Sequence, residues 1–361
     1  MTLSITVRKR LSAAFTLDVA FSAPPGITIV FGESGSGKST LLRSVAGLLQ
    51  PDAGRITVGQ RVLFDSTGPD AVPARQRKIG YVFQHLALFP HMSIAGNLEY
   101  GLPHLAAGAR RERTRTIAEL FRIAHVLSRR PSAISGGERQ RAALARSLVT
   151  DPSVLLLDEP LTALDHATAS RIIEDLRAWN AAHHIPILYV THAHREVFAL
   201  GERVVVLEQG RIVATGTPHD VLETPAHEPL AQLAGFENFF SGVIVERRAD
   251  AGTMQCRLTG TGTEIEAPLS QGDAGAPVRL AIRAGDILLA NEQPRGLSAR
   301  NVLRGRLTSL TREGARIIAG VDAGEHFLVH LTPGACDALH LAVGDHVWLI
   351  IKTHSCRIVS S

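Results

Sequence analysis

Gly32-Glu33-Ser34-Gly35-Ser36-Gly37-Lys38-Ser39, followed by Thr40, is a glycine, four residues, then Gly-Lys-Ser. Glycines at this spacing let backbone N–H groups converge on phosphate oxygens, and a helix opening at Ser39 adds unpaired N–H groups and the positive end of its dipole. Lys38 would neutralise the β and γ phosphates of a nucleoside triphosphate, and the Ser39 hydroxyl would ligate Mg2+. Val154-Leu155-Leu156-Leu157-Asp158-Glu159-Pro160 is an apolar strand ending in two carboxylates, at the strand end where open α/β sheets place ligands. Asp158 is expected to hold Mg2+, directly or through water, and Glu159 to polarise an attacking water. His192, after a second apolar strand, either bridges γ-phosphate and water or is a structural histidine at a strand end. Ser135-Gly136-Gly137-Glu138-Arg139-Gln140 opens another helix with an anion-binding N-terminus. One chain therefore carries two phosphate-seeking helix starts, where a monomer holding one nucleotide needs one.

These residues need a sheet covered by helices to position them. Short β-branched or Leu-rich runs alternate with helical patterns through the first 235 residues. Strands are expected at 15–21, 27–31, 79–83, 154–158, 187–191 and 204–208, and helices at 39–48, 111–125, 138–149 and 168–183. The runs 154–157 and 187–190 are continuously apolar, as strands buried on both faces should be. After Gly235 the texture changes to short alternating strands between Gly, Asp, Asn and Pro, at 242–247, 279–284, 305–310, 327–331 and 346–352. Leu297 is expected to open one further β segment, and 333–341 is the one helical stretch. This is the texture of a small OB-like barrel. Phe236, Phe239 and Phe240 blur the boundary and are expected to pin the tail to a neighbour. The domains read as 1–235, a connecting and partly OB-like β segment at 236–292, and 293–361.

The 361 residues suit two domains. Hydrophobic residues make up 45% and charged residues 20%, which excludes a disordered or collagenous chain. No apolar stretch reaches the roughly 18 to 20 residues of a membrane crossing. The 38 basic and 34 acidic residues are interleaved, so the net charge of +4 supplies no phosphate track and no nucleic-acid partner is expected. Cys256, Cys336 and Cys356 lack metal-ligand spacing and read as reduced thiols. Asp18 interrupts the apolar run after Arg8, Lys9 and Arg10, so no secretory signal is recognised.

With Gln84 following the strand 79–83, these pieces resemble the ATP-binding cassette family across residues 1–235. The phosphate loop at 32–39, the Q-loop Gln84, the signature Ser135 to Glu138, the carboxylates Asp158 and Glu159, the D-loop Leu164-Asp165 and the switch His192 occur in the family's order. The resemblance implies an α/β P-loop NTPase fold with a helical subdomain, working as a head-to-tail homodimer. ATP would lie between the phosphate loop of one copy and Ser135 to Glu138 of the other. Gln84 joins Ser39 and Asp158 at Mg2+, and Glu159, His192, Lys38 and Gln84 form the catalytic set. Glu138 stands where glutamine is commoner, adding a charge near the nucleotide. Phe15 is the nearest aromatic for stacking on adenine, and it fits equally well as a core residue of its strand.

With no membrane segment of its own, such a subunit would sit on the cytoplasmic face of the inner membrane under two transmembrane permease subunits. A periplasmic or lipid-anchored binding protein would supply the cargo. The segment 86–94 is either the docking surface for a permease helix or packing within the helical subdomain.

Leu297-Ser298-Ala299-Arg300-Asn301-Val302-Leu303-Arg304-Gly305 resembles the opening strand of molybdate-binding Mop (TOBE-like) domains, and Val343 to Ser355 resembles their closing strand. Phe89-Pro90-His91 and Gly96 to Gly101 are similar to segments of molybdate importer ATPases. The resemblance implies uptake of molybdate, or tungstate, with the tail binding the oxyanion as a regulatory ligand. A dianionic oxyanion is best held by several donors and one or two cations. Ser298, Arg300, Asn301, Lys352 and Ser355 supply these near the two ends of one small fold. The alternative makes Arg300 and Lys352 solvated residues of a structural appendage. Rival readings are an importer ATPase for sulfate, sugar, polyamine or ferric ion, and an oxyanion store or sensor.

Overall fold

A computed structural model describes residues 1–68, 71–162, 164–223, 225 and 228–359. The chain divides into two compact units, Met1–His219 and Asp220–Ser361.

In the first unit, β1 (Leu3–Arg10) and β2 (Thr16–Ala23) pair antiparallel. Leu3, Ile5 and Val7 alternate with polar residues and bury one face. β3 (Gly26–Phe31) feeds the phosphate loop and α1 (Lys38–Ala46), which stops at Gly47 in the left-handed region, φ 77°. β4 (Ala53–Val58), β5 (Arg61–Asp65) and β6 (Ile79–Val82) follow. A helical stretch intervenes, with α2 (Ile94–Glu99), α3 (Ala107–Leu120) and α4 (Gly136–Leu148). Then come β7 (Val154–Asp158), α5 (His166–His183), β8 (Pro186–Thr191), α6 (His194–Leu200), β9 (Arg203–Glu208) and β10 (Arg211–Gly216). Among the described residues these strands form one ten-stranded sheet, ordered β5-β4-β1-β2-β10-β9-β3-β8-β7-β6. The neighbours β9, β3, β8, β7 and β6 are parallel, and every residue of β7 and β8 is buried. The parallel half thus points its carboxyl ends, with Phe31, Asp158 and Thr191, toward one edge.

The helix expected at 111–125 starts and stops early. Arg122 adopts φ 55°, and Ile123 N–H closes onto Ala118 C=O at 2.8 Å, which ends α3 at Leu120 and leaves His125 in a separate 3-10 turn, Ala124–Val126.

A π-helical turn, His219–Glu223, leads into the second unit, which continues with α7 (Glu228–Leu233) and is otherwise mainly β. β11 (Asn238–Arg248), β12 (Thr253–Leu258), β13 (Glu264–Pro268), β14 (Pro277–Ile282) and β15 (Ile287–Ala290) come first. β16 (Asn301–Glu313), β17 (Arg316–Asp322), β18 (His326–Leu331), α8 (Pro333–Ala338), β19 (His346–Ile351) and β20 (Cys356–Val359) complete it. Two five-stranded sheets result, β13-β12-β11-β14-β20 and β15-β19-β16-β17-β18. β15 and β20 are exchanged, each pairing in the sheet built mainly from the other stretch of chain. Leu258, Ile282, Leu307, Phe327 and Leu349 fill one shared core, where each fully buried side chain contributes roughly 1.5–3 kcal/mol. The β segment expected from Leu297 opens at Asn301 instead, because Pro294 and the positive φ of Gly296, 67°, keep the approach irregular.

Two buried asparagines rivet the sheets together. The Asn238 amide donates to Ile282 and Leu328 carbonyls at 3.2 and 2.9 Å, and its oxygen accepts Leu328 N–H at 2.7 Å. Asn301 bonds both backbone groups of Glu266, at 2.7 and 2.9 Å. The three phenylalanines belong to this unit's own packing. Phe240 meets Phe327 at 4.6 Å, while Arg283 and Arg279 lie 4.4 and 6.0 Å from the Phe236 and Phe239 rings. The three cysteines are free and buried, and burial pushes the thiols of Cys256 and Cys356 up to about 11 and about 12.

Candidate functional site

The phosphate loop leaves β3 as a run of left-handed glycines, with φ of 86° at Gly35 and 106° at Gly37. Gly37 caps α1, and a side chain at Gly32 would meet the Leu207 carbonyl at 2.1 Å, so the close return of the loop admits only glycine there. Lys38 is buried and donates to the carbonyls of Gly32 and Glu33 at 2.9 and 2.6 Å. Burial lowers its pKa, against the opposing pull of Glu159 and Asp158. Ser36 Oγ is buried without a hydrogen-bond partner among the described residues. A cleft of about 440 Å³ runs past Phe15, Gly35, Lys38, Ser39, Gln84 and Glu159. Phe15 is presented by the 11–15 turn, where its N–H donates to Ser12 Oγ at 3.1 Å. It is half-buried, so it both borders the cleft and packs on the sheet core.

Across the cleft the strand ends converge. Ser39 Oγ donates to Asp158 Oδ1 at 3.0 Å, and Tyr81, from β6, donates to Asp158 Oδ2 at 3.1 Å. Two hard oxygens, from Ser39 and Asp158, therefore stand side by side, a donor set suited to Mg2+. Glu159 follows with φ 46°, strained by roughly 1–3 kcal/mol. Its N–H donates to the Val190 carbonyl at 3.1 Å, and Thr162 Oγ1 donates to its carbonyl at 3.0 Å. His192 Nδ1 lies 3.3 Å from Glu159 Oε1, and Gln84 Nε2 lies 3.5 Å from Oε2. Lys38, Ser39, Gln84, Asp158, Glu159 and His192 are thus brought to one place.

The signature helix start lies elsewhere. Ser135 caps α4 in a reciprocal box with Glu138: Ser135 Oγ accepts from Glu138 N–H at 3.3 Å, and Glu138 Oε2 accepts from Ser135 N–H at 2.8 Å. Gly137 packs closely on α5, where a Cβ would sit 2.7 Å from Thr168 Cγ2 and make that side chain move. Asp165 caps α5 through Thr168 N–H at 3.0 Å, a bond that lowers the pKa of its carboxyl. This second cleft, about 450 Å³, is lined by Arg122, His125, Ser135, Glu138, Arg141 and Asp165 and shares no lining residue with the first.

In the second unit, the antiparallel register of β16 with β19 ends at the pair Asn301 and Ile351, so Arg300 and Lys352 each adjoin one member of that pair. Ser298, Arg300 and Lys352 are exposed and Ser355 is half-buried. Asn301 does not join them as a donor: its side chain is buried, its oxygen accepts the Glu266 N–H, and its amide donates to the Glu266 carbonyl and to Cys356 Sγ. Thr353, between Lys352 and Ser355, donates to Glu266 Oε1 at 2.9 Å.

A family model described as ABC transporter matches residues 17–162, and one described as TOBE domain matches residues 297–358. The protein named Molybdenum import ATP-binding protein ModC in Rhizobium etli is 38% identical over 358 residues, 98% of this chain and 99% of the relative. Its namesake in Rhizobium meliloti is 39% identical over 359 residues, again 98% and 99%. The chain belongs to the ModC family. Two solved structures share the fold of the first unit. "Dimeric Structure of MJ0796, a Bacterial ABC Transporter Cassette" is 26% identical with a TM-score of 0.54, covering 60% of this chain and 99% of that one. The structure of cbiO1 from Clostridium perfringens, described as part of the ABC transporter complex cbiONQ, is 27% identical with a TM-score of 0.54, covering 61% and 89%.

For this ModC-family chain, sequence reasoning missed two participants. Tyr81 holds the second oxygen of Asp158, and no spacing marks it, because β6 meets β7 only in the folded sheet. His125 lies 2.9 Å from Glu138. Its signal was the Ser135–Glu138 pattern of a capping box, which fixes where the carboxylate points.

Proposed function

We propose that two copies of this chain close head to tail over two ATP molecules and that the closure drives molybdate, or tungstate, through a pair of transmembrane permease subunits. The observation that carries the reading is the separation of the two helix-start clefts. Each is half of a phosphate site, and they share no lining residue. A second copy, turned about a twofold axis, supplies the missing half of each.

In the closed pair Lys38 and the phosphate-loop amides, from Gly32 to Thr40, hold the β and γ phosphates. Ser39 and Asp158, with Gln84 at the edge, would hold Mg2+, which when bound offsets the negative charge of the phosphates. Glu159 orients the attacking water, and His192, beside it, supports the developing charge. Ser135, Gly136 and Gly137 of the second copy face the γ-phosphate, with Asp165 fixing the adjoining helix start. Phe15, which borders the cleft, offers adenine a ring to stack on.

The 86–94 segment presents the permease-facing surface, where the Phe89 and Tyr100 rings are 4.7 Å apart and Tyr100 is 63% exposed. A periplasmic or lipid-anchored protein delivers the oxyanion, and the subunit works peripherally at the cytoplasmic face of the inner membrane. In the tail, Ser298, Arg300, Lys352 and Ser355 offer donors for a regulatory oxyanion. ATPase activity of the assembled transporter is then expected to fall with saturating molybdate, and an unchanged rate removes that regulatory role.

Glu159→Gln tests the core of the reading. It is expected to cut turnover by on the order of 10² to 10⁴ while ATP still binds and a dimer forms in light scattering. Normal turnover, or a variant that stays single with excess ATP and Mg2+, overturns it.

A further inference from the structure

Glu138 is the signature position at which the chain carries a charge. Its carboxylate is fully engaged: Oε2 accepts the Ser135 N–H at 2.8 Å and the Ser135 hydroxyl at 2.7 Å, while Oε1 is 2.9 Å from His125 Nε2. An ionised carboxylate has no hydrogen to give, so Nε2 is the donor in that last pair. By the same logic the Ser135 hydroxyl donates inward, and its single hydrogen is not available to the cleft. Both Ser135 hydrogens fall on the same oxygen, so a glutamine at 138 would keep its amide oxygen there. A neutral amide oxygen accepts less strongly than a carboxylate, which loosens the hold on the hydroxyl and frees its hydrogen to turn outward.

We infer that Glu138 and His125 are a positioning pair that sets how much ATP is needed to close two copies, by governing where the Ser135 hydroxyl points. Glu138 holds the hydroxyl inward. His125 draws on the carboxylate from its far oxygen, loosening that hold. His125 is 63% exposed in the single chain, so the pair adds little to the stability of the open form. Its effect is felt on closure, when the cleft is shielded from water and the Glu138 charge counts for more. The inference rests on the two-copy reading given above.

The test is a double-mutant cycle in the full chain carrying Glu159→Gln. ATP is titrated at saturating Mg2+ and the monomer-to-dimer transition is followed by light scattering. Glu138→Gln is expected to lower the ATP midpoint by on the order of tenfold, the worth of one charge-assisted hydrogen bond. His125→Ala is expected to raise it by roughly threefold when Glu138 is present and to leave it unchanged once Glu138 is replaced. Adding Ser135→Ala, which removes the hydroxyl, is expected to erase the Glu138→Gln gain. A midpoint that stays put or rises in Glu138→Gln overturns the inference, as does a His125→Ala effect of equal size in both backgrounds. If the Glu159→Gln parent never pairs, the two-copy reading itself fails, an outcome distinct from a parent that pairs but gives a flat cycle.

Discussion

The Tyr81 hydroxyl donates to Asp158 at 3.1 Å, on the oxygen opposite the one that Ser39 holds at 3.0 Å. One buried carboxylate is thereby fixed by hydroxyls from two different elements. Burial, reinforced by Asp158 itself, pushes the Tyr81 pKa up, so the phenol stays a donor at any working pH.

Tyr81→Phe removes this clamp without changing shape. The Mg2+ concentration for half-maximal ATP hydrolysis should rise by roughly three- to tenfold, with a smaller change in kcat at saturating Mg2+, the size expected for a partner that orients a metal ligand. Mn2+ affinity in the presence of ATP, read by electron paramagnetic resonance, should weaken in parallel. An unchanged affinity would mean that Asp158 is held well enough by Ser39 alone.

Hydrogen bonds from Ser135, the backbone N–H first, bring the Glu138 carboxyl from 4.5 down to about 2. A depressed folded-state pKa means that the stabilisation is complete above about 4.5 and is lost as pH falls through about 2. Carboxyl carbon shifts of Glu138 should therefore stay flat from pH 7 to 4.5 and move only below it. Ser135→Ala removes the hydroxyl but keeps the N–H, so the midpoint should return part of the way. A midpoint near 4.5 in the unsubstituted chain would show that the cap does not form in solution.

Asn301→Ala leaves the N–H and C=O of Glu266 without their partners at 2.7 and 2.9 Å. Unmet buried polar groups of this kind cost about 1–3 kcal/mol each. Thermal unfolding should show a lowered transition for the second unit, while ATP binding remains. Loss of oxyanion binding with unaltered melting would instead restore Asn301 to the ligand set.

The nucleotide machinery was legible because it is written locally. Glycine spacing from Gly32 to Gly37 encodes a backbone path, and the unbroken apolar runs of 154–157 and 187–190 encode strands with two buried faces. β1 was missed because one buried face gives only alternation, with Leu3, Ile5 and Val7 between polar neighbours. Asn301 was misread for a different reason. Its sequence neighbours are exposed donors, and only the tertiary approach of Glu266 reveals that its amide is already committed. The early end of α3 depends on Arg122 entering the left-handed region, which its residue type does not announce.

The exchange of β15 and β20 sets a schedule for synthesis. The sheet that begins with β11 at Asn238 has its β14 edge covered only when β20, ending at Val359, has emerged. At about 5–20 residues per second, the stretch between them keeps that edge open on the ribosome for several seconds. During that interval the nascent tail offers unpaired strand groups to other chains, so a chaperone-poor cell should lose this half of the protein to aggregation first.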